Sequence, residues 1–312
     1  MDIDHIDHEV IVVGGGAAGL SAGIALARSR RSVLVIDAGE PRNAPAAGVH
    51  NFLSRDGIGP HDLVASGRTE LAHYGGGLRL GRVDTAERLD HGFAVRLEDG
   101  ERLVARRLVV TAGVVDALPD IDSLREHWGT GVLHCPYCHG WEVRDQAIGV
   151  VATGATSVHQ ALLFSQLSDE VTLVTHSFEP DAESLSLLAG AGVTVLESTV
   201  RSVEAAGGVV SGLRLEDGSL LAVGAVVVSP YSSARSSLLE SLGIEAVAHP
   251  SGMGESVEVD LMGQTSVPGV YAAGNVTDIS AQVMGAAAAG TKAGAAVNAD
   301  LVMSDAREKV VA

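Results

Sequence analysis

The chain has two cysteines in its 312 residues, Cys135 and Cys138, which are separated by two residues and flanked by His134 and His139. Two thiols at this C-x-x-C spacing can close a small disulfide ring and open it again with little movement of the backbone. The thiolate is the reactive form, and neighbouring dipoles or cations lower the pKa of a cysteine. A histidine titrates near neutral pH and can take up the proton that a thiol releases. The segment predicts thiol–disulfide exchange, with His139 or, less favoured, His134 as the base.

A zinc site is the alternative interpretation of the same residues, because cysteine and histidine are the usual zinc ligands. Four ligands within residues 134–139 would leave too short a loop for a tetrahedral site, and structural zinc sites usually draw on two separated pairs. We therefore predict a redox pair and no bound metal.

The composition excludes several classes of protein. The formal net charge of -18 and the pI near 4.9 leave no basic patch for a nucleic-acid partner. The start, Met1-Asp2-Ile3-Asp4-His5, is acidic and unlike a signal peptide, and no apolar stretch reaches the roughly 20 residues that cross a bilayer. No further cysteine is available for a structural disulfide, so we expect a reducing cytoplasm. Because no apolar stretch is long enough to cross a bilayer, we expect no membrane partner. The length suits about two domains.

The elements that must position this chemistry begin at the N-terminus. An apolar strand over residues 9–13 leads into Gly14-Gly15-Gly16-Ala17-Ala18-Gly19, a helix to about Ser29, and a strand over 32–36 that ends in Asp37. This order is typical of dinucleotide-binding folds. Gly14 allows the tight turn, Gly16 lets a pyrophosphate approach the helix N-terminus, and Gly19 lets helix and strand pack closely. Asp37 can accept hydrogen bonds from an adenosine ribose.

Periodicity predicts further strands and helices, and an irregular loop over residues 41–60. The predicted strands cover 93–97, 102–105, 108–111, 147–152 and 171–175, and the predicted helices cover 62–74, 157–167 and about 283–301.

An internal repeat indicates two nucleotide-binding-type folds. Arg96-Leu97-Glu98-Asp99-Gly100 recurs as Arg214-Leu215-Glu216-Asp217-Gly218, each within a run of strands. The sequence after Gly243 returns to the first fold, so we expect one domain over 1–116 and 245–312 and a second over 117–244. In the last helix Gly285, Gly290 and Gly294 would allow close approach, either to a sheet or with the helix N-terminus near a flavin.

These motifs together resemble the low-molecular-weight thioredoxin reductase family of FAD flavoproteins. The matching pieces are the first glycine motif with Asp37, Thr111-Ala112-Gly113, the C-x-x-C pair, and Val267-Pro268-Gly269-Val270-Tyr271-Ala272-Ala273-Gly274-Asn275. The resemblance implies an α/β fold of two Rossmann-like, three-layer ββα domains, the second inserted in the first. It also implies a homodimer, with Cys138 facing the flavin and Cys135 attacking the substrate. The FAD-binding residues that it implies are Gly14, Gly16, Ala17, Ala18, Gly19, Asp37, Ala38, Arg42, Asn51, Thr111, Ala112, Gly113, Gly274, Asn275, Gln282 and Val283.

The sequence departs from that family at three features: His139, Asn275 and the nicotinamide site. His139 stands where thioredoxin reductases carry Asp, and Asn275 stands where they usually carry Asp against the FAD ribityl chain; Asn can still donate and accept, so we expect FAD to bind. The nicotinamide turn should read G-x-G-x-x-A but reads Ala152-Thr153-Gly154-Ala155-Thr156-Ser157. The His-Arg-Arg clamp is replaced by His176-Ser177-Phe178, and no Arg or Lys lies between Asp145 and Glu197 to hold a 2′-phosphate.

Active cysteines beside a degenerate NADPH site predict a reaction that runs in the oxidising direction. The segment Cys135-Pro136-Tyr137-Cys138-His139-Gly140-Trp141-Glu142 resembles the gliotoxin, holomycin and romidepsin dithiol oxidases. That resemblance implies a small dithiol substrate, transfer of two electrons from Cys138 to FAD, and O2 as acceptor with release of peroxide. Glu142 could orient His139, and Tyr137, Trp141 and Phe52 are candidates for the pocket wall. Two other functions stay open, a disulfide reductase supplied by NADPH or ferredoxin and a flavin redox sensor without turnover.

Overall fold

The computed structural model describes residues 5–311 and divides the chain into two compact units. Unit 1 contains the described residues up to Ala44, Ile58–Val115 and the chain from Ser232 onward, and unit 2 contains Pro45–Gly57 and Asp116–Tyr231. Most of unit 2 is thus inserted in the chain of unit 1. The acidic residues 1–4, which weighed against a signal peptide, and residue 312 lie outside the described residues.

Two boundaries differ from the expected domains. The chain returns to unit 1 at Ser232 rather than at 245, because the Ser232 N–H donates to the Met253 carbonyl and the Arg235 N–H to the Gly113 carbonyl, all within unit 1. The segment Pro45–Gly57, expected in the first domain, groups with unit 2. Its contacts there are described with the site below.

Unit 1 begins with alternating strands and helices and ends this first part in a β-hairpin and a long strand. These elements are β1 (His8–Val13), α1 (Ala17–Arg28), β2 (Val33–Asp37), α2 (Pro60–His73), β3 (Gly77–Leu80), β4 (Val83–Leu89), β5 (Gly92–Leu97) and β6 (Arg102–Val110).

The chain then runs through unit 2, which it enters along one short strand and leaves along another. The elements of this part are β7 (Val114–Ala117), β8 (Val132–Leu133), α3 (Pro136–His139), β9 (Ile148–Val151), α4 (Thr156–Phe164), β10 (Val171–Val174), α5 (Ala182–Gly190), β11 (Thr194–Leu196), β12 (Val200–Ala206), β13 (Val209–Leu215), β14 (Leu220–Leu221), β15 (Ala225–Val227) and β16 (Tyr231–Ala234). Short 3₁₀ helices lie at Arg125–His127 and Trp141–Val143.

The last part of unit 1 ends in a long helix. Its elements are α6 (Ser237–Glu240), β17 (Ala246–Ala248), β18 (Glu255–Val257), β19 (Val270–Ala272), a 3₁₀ helix at Gly274–Val276, and α7 (Val283–Val311).

The main sheet of unit 1 has the order β3-β2-β1-β6-β5-β4, and β19 pairs with the C-terminal part of β6. Strands β1, β2, β3, β6 and β19 run parallel to one another. Strand β5 pairs antiparallel with β6 on one side and with β4 on the other. The central parallel strands β1 and β2 are nearly continuous apolar runs because both faces of the sheet are covered there. Val10 and Val12 pack with α1 and α7, while Ile11 and Val13 pack on the opposite face.

Unit 2 has three layers. Its central sheet is parallel, in the order β11-β10-β9-β15-β8, and a separate antiparallel sheet has the order β12-β13-β14. Ile148 and Val150 pack against Phe164 of α4, whereas Val151 packs in a second cluster with Val203 of the antiparallel sheet. Helices, parallel sheet and antiparallel sheet therefore form the predicted ββα arrangement, and the α/β fold class is confirmed.

The sequence repeat corresponds to a repeated hairpin turn. In unit 1 the Leu97 N–H donates to the Glu101 carbonyl, and in unit 2 the Leu215 N–H donates to the Ser219 carbonyl. Gly100 and Gly218 have φ angles of 90° and 87°, the left-handed conformation that such turns require. The two copies therefore encode the same local structure.

Three predicted elements have different bounds in the structure. One strand spans Arg102–Val110 where two were expected, because Arg106 and Arg107 interrupt the apolar pattern but pair with Asp305 and Asp300 of α7. Helix α7 extends past Leu301 to residue 311, and Asp305 also holds Arg31 at 2.8 Å. Helix α4 ends at Phe164 rather than at 167, since residues 166 and 167 make tight i→i−3 turns.

The glycines of α7 pack against a helix rather than a sheet. A Cβ added at Gly290 would overlap the Ala18 carbonyl of α1, and one at Gly294 would lie 2.7 Å from the Ala22 carbonyl oxygen. Gly285 is exposed, and a Cβ there would make only an ordinary contact with Ala281. Gly290 and Gly294 therefore allow α1 and α7 to cross closely.

Candidate redox and cofactor sites

The first βα turn has the geometry of an anion cradle. Gly14 has φ 103°, its N–H donates to the Ile36 carbonyl, and a Cβ at Gly19 would overlap the Gly14 carbonyl, so neither position accepts a side chain. A Cβ at Gly16 would meet no described atom within 4 Å. Within the described chain, no N–H of residues 16–18 donates to a protein acceptor. Open space before the N-terminus of a 12-residue helix suits a pyrophosphate.

Asp37 lies at the end of β2, beside this turn. Its Oδ1 accepts the Gly15 N–H at 3.0 Å, and its Oδ2 pairs with Arg68 Nη2 of α2 at 2.6 Å. The Arg68 Nε atom is buried and has no hydrogen-bond partner among the described residues. Sequence reasoning missed Arg68, because an arginine in the middle of an amphipathic helix carries no motif.

Thr111, Ala112 and Gly113 follow β6 and contact the same turn. The buried Thr111 hydroxyl donates to the Val13 and Gly14 carbonyls at 3.0 and 2.9 Å, which fixes the ends of β1 and β6 together. Ala112 packs against the core, and the Gly113 carbonyl accepts the Arg235 N–H. Arg235 Nε is a second buried guanidinium nitrogen without a partner in the described chain.

Asn275 lies in the 3₁₀ helix that follows β19. Its Nδ2 donates to the carbonyls of Asp278 and Ala281 at 3.0 and 2.9 Å, so the amide holds the loop that leads into α7. A carboxylate could not make these donations, which gives the departure from Asp a structural reason. Gln282 precedes α7, and its carbonyl accepts the Ala286 N–H, while Val283 is the first residue of the helix.

The remaining predicted cofactor residues have varied surroundings in unit 1. Gly274 is buried, and a Cβ there would lie 2.8 Å from that of Ala18, the second residue of α1 after Ala17. Ala38 is exposed after β2, and Arg42 Nη2 lies 3.4 Å from Ser232 Oγ. Unit 1 therefore fits the group that its fold implies: an open helix N-terminus, an acid at the ribose position and two unpartnered buried guanidinium nitrogens belong to the same unit.

The redox turn lies between β8 and β9 in unit 2. Cys135 and Cys138 form a disulfide with a Cα–Cα distance of 5.3 Å. Pro136 begins the single-turn helix α3, where its fixed φ suits the first helical position, and the Cys138 and His139 N–H groups donate to the Cys135 carbonyl. This short turn brings the two sulfur atoms together without a bend elsewhere in the chain.

The two histidines beside the cysteines differ in their surroundings. The ring of His134 stacks on Trp128, with the centroids 5.4 Å apart. His139 is partly buried, and its Nε2 is a buried atom without a hydrogen-bond partner among residues 5–311. Burial lowers the pKa of His139, the Glu142 carboxylate raises it and His50 lowers it. The lowered pKa of His139 favours its neutral imidazole form, which can act as a base.

The loop Pro45–Gly57 packs against this redox turn. Asn51, predicted to contact the flavin, has φ 59° and donates from Nδ2 to the Tyr137 carbonyl at 2.7 Å. His50 Nε2 lies 3.4 Å from Glu142 Oε1, and a Cβ at Gly129 would lie 2.8 Å from Pro45 Cβ. These contacts place the loop in unit 2, although the sequence alone assigned it to the first domain.

The second βα turn, between β9 and α4, has one of its own side chains bonded to its backbone. The buried Ser157 hydroxyl accepts the Thr153 N–H at 3.2 Å, and the Ser157 N–H donates to the Gly154 carbonyl. No residue of 152–155 has a positive φ. At the end of the next strand His176 Nδ1 accepts the Val200 N–H at 3.1 Å, and burial lowers the pKa of His176.

Polar residues of α4 also hold the redox segment, and sequence reasoning missed them. Gln160 Nε2 donates to the His134 carbonyl at 2.7 Å, and Gln160 Oε1 accepts the Ser229 hydroxyl at 2.6 Å. Thr156 Oγ1 lies 3.2 Å from Ser229 Oγ. Gln160 could have been noticed only from its place on the inner face of α4, since a lone Gln in a helix has no motif.

Residues 5–311 contain neither a candidate membrane span nor a candidate metal site. No helix among residues 5–311 is both long and apolar enough to span a bilayer. No group of three or more His, Cys, Asp or Glu side chains in the same residues could hold a metal ion.

Known proteins share this architecture. Residues 8–293 match the family described as pyridine nucleotide-disulphide oxidoreductase. The thioredoxin reductase tcpT of Claviceps purpurea (strain 20.1) is 32% identical over 280 residues, which cover 86% of each protein. The crystal structure of HlmI superposes with a TM-score of 0.91 at 42% identity, over 97% of this chain and 95% of that one. The oxidoreductase from Agrobacterium tumefaciens has a TM-score of 0.89 at 36% identity, over 96% and 99%.

The predicted resemblance to thioredoxin reductases is thereby confirmed, and the shared fold implies a flavin cofactor. Cys135 and Cys138 form the C-x-x-C disulfide expected of such a protein. The chain belongs to the pyridine nucleotide-disulphide oxidoreductase family and is a thioredoxin reductase-like oxidoreductase that acts through disulfide chemistry.

Proposed function

We propose that this protein is an FAD-dependent dithiol oxidase that closes an intramolecular disulfide in a small natural product, with O2 as the electron acceptor. One contrast within unit 2 supports the proposal. The redox turn has its disulfide and a histidine whose pKa is lowered by burial, whereas the nucleotide turn lacks the G-x-G-x-x-A pattern and no Arg or Lys lies between Asp145 and Glu197. Reactive cysteines beside a degenerate nucleotide site favour a reaction that takes its electrons from the thiol substrate.

The cysteines carry out the exchange in two steps. One substrate thiol loses its proton to His139, and the resulting thiolate attacks the sulfur of Cys135, so that the Cys135–Cys138 bond breaks and Cys138 leaves as a thiolate. The second substrate thiol then attacks the mixed disulfide and releases Cys135. The substrate leaves oxidised, with its two sulfur atoms bonded to each other. The cysteine pair is left reduced and holds the two electrons. The protons released by the substrate thiols pass to solvent.

Unit 1 would hold the cofactor that completes the cycle. The chemistry that FAD supplies when bound is acceptance of two electrons from the reduced cysteine pair and their delivery to O2, which leaves as hydrogen peroxide. The helix N-terminus at residues 16–18 would bind its pyrophosphate and Asp37 its ribose. The orphaned Nε atoms of Arg68 and Arg235 would gain acceptors when the cofactor binds.

The surface beside the cysteines suggests the kind of dithiol. Tyr137 and Trp141 are 60% and 65% exposed, and the Arg144 guanidinium stacks on the Trp141 ring at 4.1 Å. Exposed aromatic rings bind flat, uncharged molecules well. Glu142 and Asp145 lie in the same segment and would repel anionic thiols. We therefore favour a neutral bicyclic substrate of the holomycin-type dithiolopyrrolone class, handled by a homodimer in a reducing cytoplasm.

The direct test compares two electron donors under anaerobic conditions. The FAD-loaded protein is mixed with either dithiothreitol or NADPH, and loss of the visible flavin absorbance is followed. We expect rapid bleaching by the dithiol and none by NADPH. On admission of air, we expect one peroxide for each dithiol oxidised. Rapid bleaching by NADPH would instead identify a disulfide reductase.

Two variants separate turnover from mere flavin binding. Cys135→Ser and Cys138→Ser should keep the FAD content and lose oxygen uptake with dithiothreitol, because each removes one sulfur of the exchange. Oxygen uptake that persists in both variants would contradict the proposed route. Absence of uptake in the wild type would leave the flavin sensor as the remaining function.

A further inference from the structure

The loop Pro45–Gly57 brings an additional histidine to the redox turn. The loop is closed by the Gly57 N–H, which donates to the Val49 carbonyl at 2.8 Å, and it is anchored by the Asn51–Tyr137 hydrogen bond. Val49 and Ala46 are buried. The anchored loop therefore holds His50, the neighbour of Asn51, beside the segment that carries the cysteines.

His50 lies between two carboxylates. Its Nδ1 is 3.3 Å from Asp56 Oδ1 on the same loop, and its Nε2 is 3.4 Å from Glu142 Oε1 in the 3₁₀ helix after the cysteines. Only the imidazolium form carries a proton on both nitrogens and can donate to both carboxylates. The His50 ring and the Glu142 carboxylate thus lie side by side next to α3.

Both residues of this pair act on His139, the candidate base. Glu142 raises the pKa of His139, and His50 lowers it. Three elements contribute titratable groups here: the loop contributes Asp56 and His50, the 3₁₀ helix contributes Glu142, and α3 contributes His139. The opposing effects mean that each partner offsets the influence of the other.

We propose that His50 is a positioning residue for the dithiol reaction: paired with Glu142, it sets the pH range in which His139 can accept the proton of the attacking thiol. This inference rests on the proposed function. It adds to that function a residue that belongs to no motif of the sequence and acts on the reaction through His139 alone.

Two substitutions test the pairing through shifts of opposite sign. In His50→Gln the Glu142 carboxylate is no longer offset, so His139 holds its proton to higher pH and the acid limb of the reaction moves up. In Glu142→Gln the supporting carboxylate is lost, and the acid limb moves down. On that limb the rate of flavin reduction by dithiothreitol should fall about threefold in the first variant and rise about threefold in the second, the size expected of one half-exposed charge pair.

The control is His159→Gln, which removes an exposed histidine from α4 of the same unit and should leave the profile unchanged. FAD content and the melting temperature of each variant show whether it folds. Identical acid limbs in the wild type, His50→Gln and Glu142→Gln would overturn the proposal, as would shifts of the same sign.

A second measurement does not depend on turnover. The His139 resonance of the oxidised, FAD-loaded protein is followed by NMR against pH and assigned through His139→Gln. It should titrate at higher pH in His50→Gln and at lower pH in Glu142→Gln. If these titrations move as expected while the wild type consumes no oxygen with dithiols, the proposed function fails and the charge pairing stands. If the wild type consumes oxygen and the titrations do not move, the pairing fails and the function stands.

Discussion

The two βα turns of the chain occupy equivalent places in their units, yet they differ in how their backbone N–H groups are bonded. In unit 1 the N–H groups of residues 16–18 have no acceptor in the described chain, and Gly16 faces open space. In unit 2 the N–H groups of Thr153 and Ser157 are both satisfied by neighbouring residues of the turn. An anion can bind a helix N-terminus only where such donors are free.

In unit 2 the turn and the helix that follows it also bond to the redox segment. The Ser157 hydroxyl accepts the Thr153 N–H within the turn. Two other polar residues of α4, Thr156 and Gln160, bond toward the redox segment. Through Ser229 and Gln160 they connect to the His134 carbonyl, one residue before Cys135. The helix that should face a nicotinamide nucleotide thus helps to fix the position of the cysteines.

Matched glycine substitutions should break the comparison most strongly. Gly19→Ala places a methyl group on the Gly14 carbonyl, so the first turn must open. We expect a loss of about 3 kcal/mol or more in the free energy of unfolding, together with loss of bound FAD. Gly154→Ala in the second turn meets no described atom within 4 Å and should change stability by no more than about 0.5 kcal/mol. Thermal melting and flavin content measure both, and equal effects would contradict the contrast.

Gly16→Ala should separate the cradle from the fold. A methyl group here touches no described atom, so the melting temperature of the apoprotein should not change. The same methyl group would occupy the space that we assign to the pyrophosphate, and we expect FAD to bind at least about tenfold more weakly, or ~1.4 kcal/mol. Titration of the apoprotein with FAD measures this, and wild-type affinity would place the pyrophosphate elsewhere.

The sequence predicted the βα turn of unit 1 better than that of unit 2. Gly14, Gly16 and Gly19 form a motif because each glycine meets a separate steric demand, and the structure shows tight contacts at the first and the last. The hydrogen bond between the Thr153 N–H and the Ser157 hydroxyl has no such pattern, since a single hydroxyl can bond in many ways. The sequence therefore indicates a degenerate motif at residues 152–157 but does not predict the hydrogen bond made there.

Long-range contacts limited the other predictions. The placement of Pro45–Gly57 depends on Asn51 meeting the Tyr137 carbonyl, a pairing between residues far apart in the chain. The continuous strand β6 depends on Asp300 and Asp305, which lie near the C-terminus. Patterns of local hydrophobicity contain no information on such partners, whereas the buried strands β1 and β9 were predicted nearly to the residue.

Ser157→Ala should sharpen the comparison without reversing it. The Thr153 N–H loses its acceptor in a buried turn, and we expect the free energy of unfolding to fall by about 1 kcal/mol. The freed N–H alone should not restore nucleotide reduction, because no Arg or Lys lies between Asp145 and Glu197. Denaturant unfolding and anaerobic mixing with NADPH check the two parts. Flavin bleaching by NADPH in this variant would show that Ser157 was the sole obstacle.

The smallest effect concerns the end of the second strand, which carries Asp37 in unit 1 and His176 in unit 2. Burial lowers the pKa of His176, whose Nδ1 accepts the Val200 N–H. The unfolded chain therefore binds the proton more readily, so this contribution to stability is complete above about pH 6.5 and is lost as the pH falls through the lowered folded pKa. Asn tolerates the left-handed φ of 47° and still offers an acceptor oxygen, but it does not titrate.

His176→Asn should accordingly make stability less dependent on pH on the acid side, with little change near neutrality. The slope should not vanish, because burial also lowers the pKa of His139 in the same unit. Denaturant unfolding at a series of pH values from about 8 to about 5 measures it, with the exposed His159→Gln as the matched control. A slope equal to that of the wild type would mean that His176 stays neutral, or becomes charged, equally in the folded and unfolded chains. Its bond to Val200 would then have no bearing on how unit 2 responds to acid.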